Sequence, residues 1–181
     1  ASDVYKRQIS ARTALYRLKD DRLELRGGTQ LERWQAPLPA NASRSAAPLR
    51  LSTASLDWRP EQGALLAPGA VLGQRWNHAG PQPDLRLTAT GLEGNLRQGL
   101  VDLLAPVQLR SLDGNGWLDA GRTRWAIQQQ WLASDQPFRG GMRQLAGQGQ
   151  GLRINIGSSS VLVPRGCVLS QPGEQLRASR C

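Results

Sequence analysis

The chain has a single histidine, His78, set in Trp76-Asn77-His78-Ala79-Gly80-Pro81. Nucleophilic or acid–base chemistry around it would need a hydroxyl and an orienting carboxylate within hydrogen-bond reach, and tertiary structure could supply Ser55 or Asp57. The spacing does not assemble that set, so His78 reads first as a loop histidine. The carboxylates Asp57, Glu61, Asp84, Glu93, Asp102, Asp113, Asp119 and Asp135 are scattered along the middle of the chain. Glycoside hydrolysis by two of them would depend wholly on their separation, which sequence does not fix. Asp113-Gly114-Asn115-Gly116 lacks the alternating oxygen ligands and late glutamate of a calcium loop and reads as a turn. Gly147-x-Gly149-x-Gly151 has no Gly-Lys-Ser/Thr element and does not open a helix, so it is no phosphate loop. With one histidine and two cysteines, no zinc set forms either. No catalytic residue, cofactor or metal site is expected.

The tryptophans are the most distinctive residues. There are 6 of them, against 2 tyrosines and 1 phenylalanine, so they carry most of the aromatic area. In a β-domain they staple the core or a sheet face. Alternatively, Trp58, Trp76, Trp117 and Trp125 with Arg59, Arg75, Arg122 and Arg124 form a partner-contact surface, since tryptophan and arginine dominate binding hot spots. These eight are the residues expected to carry partner binding.

Charge narrows the partner. The formal net charge is +9, and only Lys6 and Lys19 are lysines, so the excess is arginine. It sits at the ends: +3 over residues 1–33, +1 over 34–138 and +5 over 139–181. A continuous phosphate track would have denser basic clusters, so nucleic acid is not the expected partner. Cys167 and Cys181 could close a loop whose bridge would be worth about 3 kcal/mol and would imply an oxidising compartment. Two free thiols are the plain alternative. No apolar run is long enough to cross a membrane as a helix.

The elements that must position these residues read as short amphipathic strands. Arg22–Arg26 alternates and ends at Gly27-Gly28, and Leu49–Trp58 alternates up to the turn Arg59–Gly63. Leu65–Gly73 is apolar but broken by Pro68 and Gly69, so it reads as short strands or a packed loop. Leu85-Arg86-Leu87-Thr88 echoes Leu49-Arg50-Leu51-Ser52, with a fainter echo at Leu152-Arg153-Ile154-Asn155. Further strands are expected at Val107–Leu109, Trp117–Gly121, Arg122–Ile127, Leu152–Ile156, Val161–Val163 and from Cys167. Asn95–Leu104 is predicted helical from Leu96, Leu100 and Leu103, and Arg12–Asp21 is predicted to be a short helix or the first arm of a hairpin. The fold expected is mainly β, an antiparallel sheet arranged as a sandwich or open barrel, with one or two short helices.

Ala1–Gln8 resembles a translated sequencing-adaptor remnant, so residues 1–11 are expected to be a non-native or disordered leader, and the sequence as it begins then carries no weight about a signal or membrane anchor. Residues 12–181 are expected to form one domain with a Pro-rich loop at 35–48; the Asn41-Ala42-Ser43 sequon in it is a common chance triplet. Leu162–Gly166 has the look of a protease-tag site but lies inside the chain and reads as native.

Two segments carry a family resemblance. Leu56-Asp57-Trp58-Arg59-Pro60 precedes Ala64-Leu65-Leu66, and the Gly-rich stretch Thr90–Gly99 follows. Over residues 49–127 this order resembles the periplasmic part of the type II secretion N protein. The resemblance implies a non-enzymatic protein of the bacterial envelope, anchored in the inner membrane, whose periplasmic β-domain contacts other secretion components. Strand edges and the Trp/Arg surface would make those contacts. The competing expectations are a carbohydrate- or cell-surface-binding β module, marked by an exposed tryptophan row, and an enzyme built from distant loops around His78.

Overall fold

The computed structural model describes residues 5–35, 49–76, 82–126, 129, 131–155, 160–171 and 174–178. Residues 1–4, most of the Pro-rich loop with its sequon, His78, Gly157–Ser159 and Cys181 lie outside the described residues. The chain forms one antiparallel meander. β1 (Tyr5–Ser10) and β2 (Thr13–Arg17) lie end to end along the long β3 (Arg22–Gln35). β3 pairs over most of its length with β4 (Leu49–Arg59). β5 (Ala64–Ala67) and β6 (Val71–Trp76) share the other side of β4. β7 (Pro83–Ala89) and β8 (Gly91–Asn95) follow, against β6 and β5. Next come β9 (Leu100–Leu104) on β8 and β10 (Val107–Ser111) on β7. β11 (Gly116–Ala120) pairs with β10 and β12 (Thr123–Ala126) with β9, and both then pair with β13 (Trp131–Met142). β14 (Leu145–Asn155) follows β13. β15 (Ser160–Leu162) and β16 (Cys167–Gln171) lie along β14, and β17 (Glu174–Ala178) pairs with β16.

The strands are thus long ones, most of them interrupted once, and the interruptions line up across the sheet. They fall at Ala11–Arg12, Gly27-Gly28, Pro68–Ala70, Thr90, Ala105-Pro106, Gly121-Arg122, Asp135-Gln136, Gly151 and Val163–Gly166. The sequence supplies what a crease requires. Gly27, Gly28 and Gly151 take φ of 81°, 89° and 75°, which L side chains avoid. Pro68 and Pro106 remove ladder donors, and β13 has a register shift between Ser134 and Pro137. Ala89 and Leu92 are both buried, as are Ala120 and Thr123, so an odd residue is inserted where the strand turns the corner.

Folding along this crease brings two tiers face to face. One tier holds β1, β6, β7, β10, β11, β16 and β17; the other holds β2, β5, β8, β9, β12 and β15; β3, β4, β13 and β14 run through both. The main core joins Leu51, Val71, Leu87 and Leu109 of the first tier to Leu65, Leu92, Leu103 and Trp125 of the second. A smaller cluster of Leu152, Val163 and Cys167 packs with Phe138, Leu118 and Leu169 toward the C-terminal side. Each buried leucine contributes roughly 1.5–3 kcal/mol relative to an exposed one. The void left between the tiers, about 20 Å³, is no larger than a water and is lined by apolar side chains apart from Arg75.

The mainly β, antiparallel expectation holds; the helix expected at Asn95–Leu104 is corrected, and of the two readings of Arg12–Asp21 the hairpin arm is the one found. Asn95–Leu104 is the end of β8, a turn and β9: Leu96 donates its amide back to neither helix nor strand but to the Gly63 carbonyl, and Gly99 has φ of 68°. Leu100–Leu104 alternates, with Val101 and Leu103 inward, and Asp102 is held by arginines on the other face. Arg12–Asp21 is the hairpin arm β2 with one 3-10 turn at Leu18–Asp20. Residues 5–10, expected in the leader, form β1 on β3. The repeated Leu-x-Leu motifs of β4 and β7 occupy the same rungs on either side of β6, so Leu51 and Leu87 both close over Gly73.

Candidate functional site

The eight expected contact residues do not form one surface. Trp125 is 4% exposed and belongs to the core between the tiers. Trp58 is half-buried against the same core, near the end of β4. Arg59, the last residue of β4, is exposed. Arg75 grips Asp84 bidentately, with Nε and Nη2 at 3.1 and 2.7 Å from its two carboxylate oxygens. Trp76 is half-buried beneath Arg50, whose guanidinium carbon lies 5.0 Å from the ring centre. Trp117 stands on the outer face beside Arg110, 5.8 Å away, with its indole leaning over Gly141 in the paired strand. It is 39% exposed, whereas Trp58, Trp76 and Trp131 are half-buried and Trp125 is buried. An exposed tryptophan row, the mark of a carbohydrate module, is therefore not found among the described residues.

The arginines that meet the tryptophans are Arg50 and Arg110, which the sequence reading missed because it paired neighbours along the chain. Strand pairing brings them together instead: Arg110 and Trp117 are opposite each other and flank the Asp113-Gly114 turn symmetrically, while Arg50, opposite Gln74, reaches Trp76 two residues along the same strand. Counting outward from that turn would have found the contact. In the turn, the Asp113 carboxylate accepts from the Ser111 hydroxyl and from the Asn115 amide and side chain, which lowers its pKa to about 2.

Arg122 and Arg124 are committed elsewhere. Arg124 donates from Nε to Asp102 Oδ1 at 2.7 Å, Arg122 donates from Nη2 to Oδ2 at 2.6 Å, and Arg122 also reaches Glu93. The Arg124 hydrogen bond is the largest influence on Asp102, outweighs its burial, and with Arg122 lowers its pKa below the ordinary 3.8. At Asp57 burial pulls the pKa upward, but Arg26 and Arg22 outweigh it and the net shift is again downward. A carboxylate with a depressed folded-state pKa adds stability that is fully present above its unfolded value and is lost as pH falls through the folded one. Asp102→Asn is therefore expected to lower the melting temperature at neutral pH, and the gap from wild type should close as pH falls below the ordinary carboxylate range and through the lowered folded-state value. Melting curves across that range check this; a gap that stays constant would sink it.

The lateral margins of the sheet are the remaining feature. Among the described residues, β1 and β2 pair only with β3, β15 only with β14, and β17 only with β16. All five residues of β2 are exposed, and Val161 of β15 is 59% exposed. Leu112, Met142 and Leu145, all exposed, lie near Trp117 at the end of the first tier. Cys167 is buried in the smaller cluster; its expected partner, Cys181, is outside the described residues. So is His78, and no group of His, Cys, Asp or Glu that could hold a metal occurs among the described residues. No helix among them is long and apolar enough to cross a membrane. No protein-family model matches the chain, and no curated protein matches it.

Proposed function

We propose that this chain is a non-enzymatic, protein-binding β scaffold of the bacterial cell envelope, working within a secretion apparatus through its sheet margins and the Trp117–Arg110 surface. The carrying observation is the pair of lateral margins whose outer sides have no strand partner among the described residues. Unpaired edge strands add a strand from another protein through main-chain hydrogen bonds. The partly exposed Trp117, braced by the Arg110 guanidinium that Asp119 holds at 2.6 Å, supplies the side-chain anchor such contacts need. The ion pairs on the outer faces of β9, β12, β3 and β4 leave those surfaces largely self-satisfied, which favours the margins as contact elements. An extracytoplasmic location and a Cys167–Cys181 bridge belong to the same reading, and the bridge would fasten the chain's end to the smaller core cluster.

The test is direct binding of the purified chain to the purified periplasmic domains of envelope secretion components. One of them is expected to bind saturably. Trp117→Ala and Val161→Lys should each weaken that binding about tenfold or more while leaving the circular dichroism unchanged. The same preparation, unfolded without reductant, should show no reactive thiol. Absence of saturable binding, or binding indifferent to both substitutions, would overturn the proposal.

A further inference from the structure

Exposed apolar side chains gather at one margin. Leu15, Tyr16 and Leu18 are 53%, 47% and 84% exposed, and they sit on or beside β2. β2 reads Thr13-Ala14-Leu15-Tyr16-Arg17, favourable to strand, without proline, glycine or lysine. Its one charge, Arg17, is paired with Glu24 at 2.9 Å. Edge strands are ordinarily blunted by lysine, proline or a bulge. β1 has Lys6 and Arg7, and β17 has Glu174 and Arg177, but β2 has no such guard.

We propose that β2 pairs with β2 of a second copy, antiparallel about a two-fold axis centred on Leu15. The strand is self-complementary in that register. Leu15 faces Leu15 of the second copy, Ala14 faces Tyr16 and Thr13 faces Arg17, so no like charges meet and small side chains oppose large ones. Ala14 and Tyr16 are in register with Leu25 and Leu23, so the new pair extends the face that carries the core. Leu15 is in register with Glu24, on the face of the ion pairs. Centring the axis on Arg17 instead would set two guanidiniums against each other. The joint is small by the standard of permanent interfaces, so association is expected at roughly micromolar concentrations. The inference rests on the reading of open margins as binding elements, but it concerns the purified chain alone. Its failure therefore leaves binding of an envelope component at the other margin untouched.

Sedimentation equilibrium of the whole chain over a concentration series is expected to show monomer and dimer. Leu15→Lys places two ammonium groups face to face and should weaken the dimer about tenfold or more with an unchanged melting temperature. Val161→Lys, at the opposite margin, should leave the dimer intact. A photo-crosslinking phenylalanine analogue at position 15 should give a product of twice the chain mass, and at position 161 none; this arm decides the matter should Leu15→Lys fail to fold. A chain that stays monomeric at every soluble concentration overturns the proposal. So does a dimer that withstands Leu15→Lys or is broken by Val161→Lys.

Discussion

Trp125→Ala is expected to remove about 3–5 kcal/mol of folding stability, a large share of the 5–15 kcal/mol that holds a typical domain together. Trp125 stands on β12 opposite Val101 and Leu132, and its ring crosses to line the inter-tier void with Leu51, Gly73 and Leu87. Truncation would merge the indole's space with that void. The walls are poorly able to collapse into it, because each is a ladder pinned at both ends by the long strands β4 and β13. Burial of area, not hydrogen bonding, is what the ring supplies: its Nε1 has no acceptor among the described residues. Trp125→Phe should therefore cost far less than Trp125→Ala. Urea unfolding measures both; a loss below about 1 kcal/mol for alanine would mean that the tiers are not held through this ring.

The strands were legible wherever one face is buried and the other wet. Leu49-Arg50-Leu51 and Leu85-Arg86-Leu87 alternate because each lies on a two-sided sheet with a core on one side only. Asn95–Leu104 misled because two leucines of β9 and one in the preceding turn happen to fall at helical spacing. The better signal was Asp102 between Val101 and Leu103, which a strand can turn to the arginines on its far face. The crease was visible only as punctuation. Pro68-Gly69, Pro106 and Gly121 read as ends of strands, since nothing local says that the chain resumes the same line after them. Their alignment is a property of pairing between strands, which no single segment contains.

The contact surface was hidden for a related reason. Arg122, Arg124 and Trp125 are consecutive or nearly so in sequence, yet alternation sends the arginines outward to Asp102 and the tryptophan into the core. Neighbours along a strand seldom share a face, whereas partners across a hairpin do. The net charge of +9 likewise overstates what the surface offers, because arginines on several outer faces are spent on Glu24, Asp57, Asp84, Asp102 and Asp119. Among the described residues, the backbone at the margins remains open. Composition has no way to record that.

Gly149→Val is expected to cost about 3 kcal/mol, with the damage centred on the smaller core cluster. Gly149 lies between Phe138 of β13 and Cys167 of β16, just before the crease at Gly151. A Cβ there would come within 2.5 Å of the Gly166 carbonyl oxygen, 3.0 Å of Phe138 Cε1 and 3.1 Å of Val163 Cγ1. The first of these is backbone, so no change of rotamer relieves it, and β16 must move away from β14. That movement loosens Val163 and Cys167 together with Leu152, which packs in the same cluster. Gly69→Ala is the matched control: a Cβ there meets nothing within 4 Å among the described residues and its φ is not positive, so the change should be neutral or stabilise by up to about 1 kcal/mol. Chemical denaturation gives the two differences, and hydrogen exchange along residues 163–171 gives their location. If Gly149→Val stayed within about 0.5 kcal/mol of wild type with exchange unchanged, β14 and β16 would not approach as closely as the packing of the C-terminal side requires.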